Sequence, residues 1–232
     1  IVSGGFGTRI KDIESSLPKP LIRLGDYNLL EHNILRLKKV GINNFIISTW
    51  YKADQIESYF GDGKIHKVKI RYIQDPEPLG DGGAFRNCYK QINGTAILVN
   101  ADDIRTNLNL EDMLKFHQDM RAISTSSVAI KEDLYNHGMV ELGKNNKITK
   151  FLVKPSTNET KTRYAISGLY IMEPEVIDIF PEGYSLTKDV LFDFVKTNRF
   201  YGFPVNGLFF NIGTTEIYQE AQEETQELNK LS

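Results

Sequence analysis

Ser3-Gly4-Gly5-Phe6-Gly7-Thr8-Arg9 sets three glycines, two hydroxyls and a guanidinium directly after the apolar pair Ile1-Val2. Clustered glycines let backbone N–H groups approach phosphate oxygens without a Cβ in the way, although a tight structural turn would use the same residues. Spacing separates the options. A Walker loop needs G-x-x-x-x-G-K-[ST], and the dinucleotide fingerprint needs a third small residue where this chain has Ile10. Lys19 stands ten residues beyond Arg9 in Leu17-Pro18-Lys19-Pro20, so two cations lie near a loop able to wrap phosphates. Asp102 follows the apolar run Ala96-Ile97-Leu98-Val99, a carboxylate at the end of a buried-type strand, where α/β sheets bind ligands. It is the first candidate for a metal ligand. Asp103 would point the other way along a continuing strand and is expected to be exposed or to brace the loop.

The elements that must position these residues alternate short apolar runs with helical periodicities, the pattern of βαβ units. Leu30, Ile34, Leu37 and Val40 repeat at helical spacing, with Asn28 and Glu31 as capping residues and Gly41 as a stop. Strands are expected at Phe45 to Ser48, at Val68, Ile70 and Tyr72, and at Ala96 to Asn100, with a helix marked by Phe85, Cys88, Tyr89 and Ile92 before the last of these. After residue 125 the pattern turns to strands: Ser126 to Ile130, Met139 to Leu142, a Gly143-Lys144-Asn145-Asn146 turn, Lys147 to Leu152, and Ala165 to Met172. Helices resume near Pro174 to Phe180 and Asp189 to Val195, and an amphipathic helix carrying Ile217, Ala221 and Leu228 closes the sequence. No repeat or linker divides the chain, so a single domain over 1–232 is expected.

Composition narrows the function classes. Charged residues are 25% and hydrophobic ones 41% of 232, as in ordinary globular proteins, so disordered and fibrous classes are excluded. A balance of 28 Lys+Arg against 30 Asp+Glu provides no global footprint for nucleic acid or an anionic membrane, so any anion site must be local. Cys88 is the only cysteine, and the sequence IVSGGFGTR shows no signal-peptide pattern, which fits a cytoplasmic protein. The four histidines have no metal-binding spacing. Eleven Tyr and 13 Phe would serve a homodimer interface or a thick core equally well.

The series G-G-x-G-T-R…P-K-P, here Gly4 to Arg9 and Pro18-Lys19-Pro20, resembles the signature of the sugar-1-phosphate nucleotidylyltransferases. Further stretches resemble that family in order along nearly the whole chain. They are Pro78-Leu79-Gly80-Asp81-Gly82-Gly83-Ala84, Asn100-Ala101-Asp102, Phe151-Leu152-Val153-Lys154-Pro155, Ser167-Gly168-Leu169-Tyr170 and Asn211-Ile212-Gly213-Thr214. The resemblance implies an α/β, Rossmann-like, mostly parallel mixed sheet flanked by helices, the glycosyltransferase-A-like nucleotidyltransferase fold. It implies a Mg²⁺-dependent reaction between an NTP and a sugar 1-phosphate that releases pyrophosphate and makes an NDP-sugar. Within the family the short chains nearest in pattern use GTP and mannose or heptose 1-phosphates for surface glycans.

By the same resemblance, Gly4, Gly5, Gly7 and Thr8 would bind the nucleotide, Arg9 the leaving pyrophosphate, and Lys19 the α-phosphate, with Asp102 on the metal. Gly80 and Gly83 would lie against the base, while Asp81 would either accept from guanine or cap a helix starting near Ala84. Gly138, Lys154 and Gly168 would line the sugar phosphate pocket, and Glu141 would face either the sugar or solvent. Two departures stand out. Asn211 replaces the family Asp that completes the metal site, so its amide oxygen would bring no charge, and Val153 replaces a sugar-binding Glu. They open a second reading, a weakly catalytic nucleotide-sugar-binding regulator; a third within the same fold is a cytidylyltransferase for a non-sugar phosphate, against which the sugar-side Lys154 and Gly168 argue.

Overall fold

The computed structural model of the chain describes residues 1–3, 16–106, 109–131 and 137–224. Its elements run β1 (Arg23–Leu24), β2 (Tyr27–Asn28), α1 (Leu29–Lys39), β3 (Asn44–Thr49), α2 (Ala53–Phe60), β4 (Lys69–Gln74), α3 (Gly80–Tyr89), β5 (Ala96–Val99) and β6 (Asp103–Arg105). Then follow α4 (Leu110–Asp119), β7 (Ser124–Ile130), β8 (Gly138–Leu142), β9 (Ile148–Val153), β10 (Tyr164–Met172), α5 (Thr187–Lys196), β11 (Phe200–Pro204), β12 (Phe209–Asn211) and α6 (Thr215–Glu223).

Residues 1–3 stitch the central sheet. Val2 bridges in parallel to Ser48 on one side and Asn100 on the other, with Ser3 N–H donating to Ser48 O (3.1 Å) and Ala101 N–H to Val2 O (2.9 Å). The spatial order is therefore β4, β3, residues 1–3, β5, β10, β7, β11, in which only β5–β10 and β10–β7 are antiparallel. The expected mixed, mostly parallel sheet is present, and β8 and β9 extend it by an antiparallel hairpin beside β10. Alternation along the strands feeds two cores. Leu98, Tyr170 and Met172 join Phe85, Phe194 and Phe200 on one face, while Val99, Leu169 and Ile171 join Leu30, Ile34, Ile47 and Ile56 on the other. Helices cover both faces because a buried parallel strand presents apolar side chains both ways.

Local signals explain most boundaries. Asn28 and Glu31 form a reciprocal capping box, Glu31 N–H donating to Asn28 Oδ1 (2.8 Å) and Asn28 N–H to Glu31 Oε2 (2.9 Å). The β8–β9 connection closes through Gly143 N–H to Lys147 O (2.8 Å), with Asn145 and Asn146 in the left-handed region. Three expectations change. The helix expected near Pro174 to Phe180 is a five-residue 3₁₀ turn, Pro174–Asp178. The helix marked by Phe85 begins earlier, at Gly80, and ends before Ile92. The closing helix is α6, and Leu228 lies outside the described residues.

Candidate active site

Asp102 sits just beyond the carboxyl end of β5, beside the end of residues 1–3, where the order of strands reverses. Its side chain, 26% exposed, pairs with the ammonium of Lys19, which is 14% exposed. Lys19 opens a 3₁₀ turn, Lys19–Leu21, and buried Pro20 and Leu21 anchor that turn. The structure thus brings together two predicted site residues separated by 83 positions. Gly4, Gly5, Gly7, Thr8 and Arg9 lie outside the described residues, but Ser3, which leads into them, is bonded to Ser48 beside Val2's link to Ala101. Residues 1–3 therefore end beside the turn at 100–103 that carries Asp102.

Across from Asp102, β12 pairs antiparallel with β6, Asn211 facing Asp103, and Ile212 N–H donates to Asp102 O (3.0 Å). Asp103 is not exposed as expected; it is 1% exposed and carries the bracing. Its Oδ1 accepts Asn211 Nδ2 (2.7 Å), its Oδ2 accepts Asn100 Nδ2 (3.0 Å), and Arg105 stands 4.0 Å away. The chain turns at 100–103, Asp103 N–H reaching Asn100 O (3.2 Å), so simple strand alternation does not carry through. Burial first, then the Asp102 charge, push the Asp103 carboxyl up to about 7. The Asn211 amide nitrogen is turned to Asp103, which leaves its oxygen on the other side. Asn211→Asp would set a second carboxylate against Asp103 and is expected to cost about 1–2 kcal/mol at pH 8, measured by urea unfolding.

Gly168, at the β-bulge of β10 with φ +72°, owes its identity to the same carboxylate: a Cβ there would lie 1.9 Å from Asp103 Oδ2. Gly138 and Lys154 sit at the same end of the β8–β9 hairpin, Gly138 pairing with Val153 and Met139 with Ala165 of β10. A side chain at Gly138 would meet the Phe151 ring at 2.8 Å, so packing alone requires glycine there. Lys154 has φ +49° immediately before Pro155, a conformation that costs energy in a lysine. Glu141 accepts from Thr160 (3.0 Å) and lies 3.8 Å from Lys150, which is the solvated-face alternative.

The Gly80–Gly83 turn is enclosed rather than open. Cβ atoms at Gly80 and Gly83 would fall 2.3 Å from Ser185 O and Gly183 O, and Gly82 and Gly83 N–H both donate to Ser185 O (3.0 and 3.3 Å). The close approach that demands glycine is thus to residues 183–185. Asp81 caps neither its own helix nor an open pocket: its carboxylate accepts Thr187 N–H (3.1 Å) at the start of α5, and burial raises its pKa. Asp81→Ala should lose about 1 kcal/mol by orphaning that donor, whereas Asp81→Asn, which keeps the acceptor and removes the buried charge, should retain native stability in thermal unfolding at pH 7.

Sequence reasoning missed Asp75, 3% exposed, which accepts Ser48 Oγ (2.6 Å) and Asn87 Nδ2 (2.9 Å) and ties the ends of β3 and β4 to α3. It also missed the fully buried Arg105, whose Nη2 donates to Ser167 O (2.7 Å). Both partnerships are long-range, and no local spacing announces them. The histidines stay apart: His32 bonds Leu24 O (2.7 Å), His117 bonds Thr125 and Glu173 (2.8 and 3.0 Å), and among the described residues no group of three or more His, Cys, Asp or Glu could hold a metal by itself.

This geometry, a lysine and a carboxylate paired at the strand ends, suits phosphate handling, and comparison with known proteins gives it a family. The nucleotidyl transferase family model matches residues 1–227. The chain belongs to that family. It is 28% identical over 228 residues to the D-glycero-α-D-manno-heptose 1-phosphate guanylyltransferase of Aneurinibacillus thermoaerophilus, covering 97% of both chains. It is 29% identical over 222 residues to the mannose-1-phosphate guanylyltransferase of Mycobacterium tuberculosis, covering 94% of this chain and 61% of that protein's length. The structure of apo UDP-glucose pyrophosphorylase superposes with a TM-score of 0.84 at 20% identity, covering 98% and 97% of the two chains, and shares the fold. The first two of these relatives are named as guanylyltransferases acting on a sugar 1-phosphate. Among the described residues no helix is long and apolar enough to cross a membrane.

Proposed function

We propose that the chain transfers a nucleoside monophosphate from an NTP, GTP by preference, to a mannose- or heptose-like sugar 1-phosphate. The observation that carries this is the Lys19–Asp102 pair at the strand ends, together with the full-length likeness to a heptose 1-phosphate guanylyltransferase. An oxygen of the sugar phosphate forms a bond to the α-phosphorus, the α–β bridging bond breaks in line, and pyrophosphate leaves with the electron pair. Phosphoryl transfer asks a protein for position and positive charge. Lys19 meets the charge on the α-phosphate oxygens, Arg9 the pyrophosphate and Lys154 the sugar phosphate. Gly138 and Gly168 line the sugar side, and Gly80 and Gly83 shape the turn that borders the base.

The donors fit Mg²⁺, which takes one or two protein oxygens and completes its shell with water and substrate phosphates. Asp102 would hold it with the outward amide oxygen of Asn211, and the ion would supply charge neutralisation at the reacting phosphate.

Pyrophosphate release with Mg²⁺ from GTP, UTP, CTP, dTTP and ATP, each against mannose, heptose and glucose 1-phosphates, tests the assignment. The expected result is release with GTP and a mannose- or heptose-type acceptor; release confined to another base would overturn the base assignment. A second reading, a nucleotide-sugar-binding regulator, is favoured by Asn211, which brings no charge and commits its amide nitrogen to Asp103. No release from any pair, with nucleotide-sugar still bound, would support it.

A further inference from the structure

A second cationic site lies behind the strand that carries Asp102. Arg36 of α1 and Arg105 of β6 line a cavity with Asn33, Leu37, Leu110 and Leu169. Among the described residues, both terminal nitrogens of Arg36 are buried with no hydrogen-bond partner, and so is Nε of Arg105, a residue only 1% exposed. Asp103 stands 4.0 Å from Arg105 Nη2. The remaining lining is apolar apart from Asn33, whose amide nitrogen is committed to Leu29 O and Ala101 O (3.2 and 3.1 Å). Burial, then the Arg105 charge, push Arg36 down to about 9. An unpaired buried charge is among the costliest arrangements a protein can hold, and here it borders a ready space.

We infer that Arg36 and Arg105 bind a single monatomic anion, chloride, in this cavity. Size selects the class. The space is small, about 10 Å³, close to the least that holds one water-sized body, which favours a monatomic ion. Charge selects the sign, and apart from Asn33 the rest of the lining is apolar. The site is separate from the substrate crevice, yet Asn33 and Arg105 tie its walls to Ala101 and Ser167, the backbone on which Asp102 and Gly168 stand.

The test is thermal unfolding of the native chain in sodium gluconate, chloride and bromide at matched ionic strength, beside Arg36→Met, which keeps the apolar stem and removes the charge. The native chain is expected to gain about 5 °C, saturably, in either halide relative to gluconate. Arg36→Met is expected to show no halide response and to be at least as stable as the native chain in gluconate. Crystals grown in bromide should give one anomalous peak between the two guanidinium groups. Equal native midpoints in gluconate and halide, an unchanged halide response in Arg36→Met, or a bromide crystal with that cavity empty would each overturn the inference.

Discussion

Asp102→Ala is expected to lower kcat for nucleotidyl transfer by about 10²–10³ or more, with Lys19→Ala falling in the same range. Each removes a group whose partner is charge that builds or must be neutralised at the α-phosphate, so the loss should appear in kcat more than in KM. The fold should survive both changes. The pair is partly exposed, 14% and 26% on its two sides, and the turn that carries Lys19 is held by buried Pro20 and Leu21 rather than by the ion pair. A stability loss near 1 kcal/mol is expected. Steady-state kinetics beside thermal unfolding decides the matter: near-native turnover in either variant would remove these residues from the reacting centre, and a collapsed midpoint would make the pair a structural element.

Gly168→Ala is expected to be strongly destabilising, on the order of 3 kcal/mol or more. Two costs add. The backbone there has φ +72°, which an alanine adopts at a penalty of about 1 kcal/mol, and the new Cβ would lie 1.9 Å from Asp103 Oδ2. The carboxylate cannot swing aside cheaply, because Asn100 and Asn211 hold both of its oxygens. Relaxation would have to move β6 or the β10 bulge, and with them Asp102. A fall in the unfolding midpoint of about 6 °C or more is expected, whereas a loss below 2 °C would show that Asp103 is free to yield.

These effects differ in how far the sequence announces them. α1 is legible in full, since Asn28, Glu31 and the spacing of Leu30, Ile34 and Leu37 specify cap, register and buried face together. The apolar run before Asp102 likewise identifies the strand end and the carboxylate, and Pro18-Lys19-Pro20 supplies the lysine that pairs with it. Residues whose partners are distant in sequence are not legible. Asp103 is read as exposed or loop-bracing because alternation assumes a straight strand; the bracing is present, but the turn at Asn100 drives the side chain into the space under Gly168. Asp81 stands in a helix start and is read as that helix's cap, yet its acceptor serves Thr187, 106 residues away. The glycines at 80 and 83 look like a ligand surface because the segment 183–185 that fills their missing Cβ positions carries no motif of its own. Local chemistry is written in spacing; packing between distant segments is not.

The most direct test of the account is ³¹P NMR of the native chain mixed with GTP, mannose or heptose 1-phosphate and Mg²⁺. The account predicts that the sugar phosphate resonance is consumed together with GTP, in equal amounts, as a nucleoside diphosphate-sugar pair and pyrophosphate appear, and that neither substrate changes alone. GTP consumed without the sugar phosphate, or no conversion of either sugar phosphate with any of the five nucleotides, would contradict it.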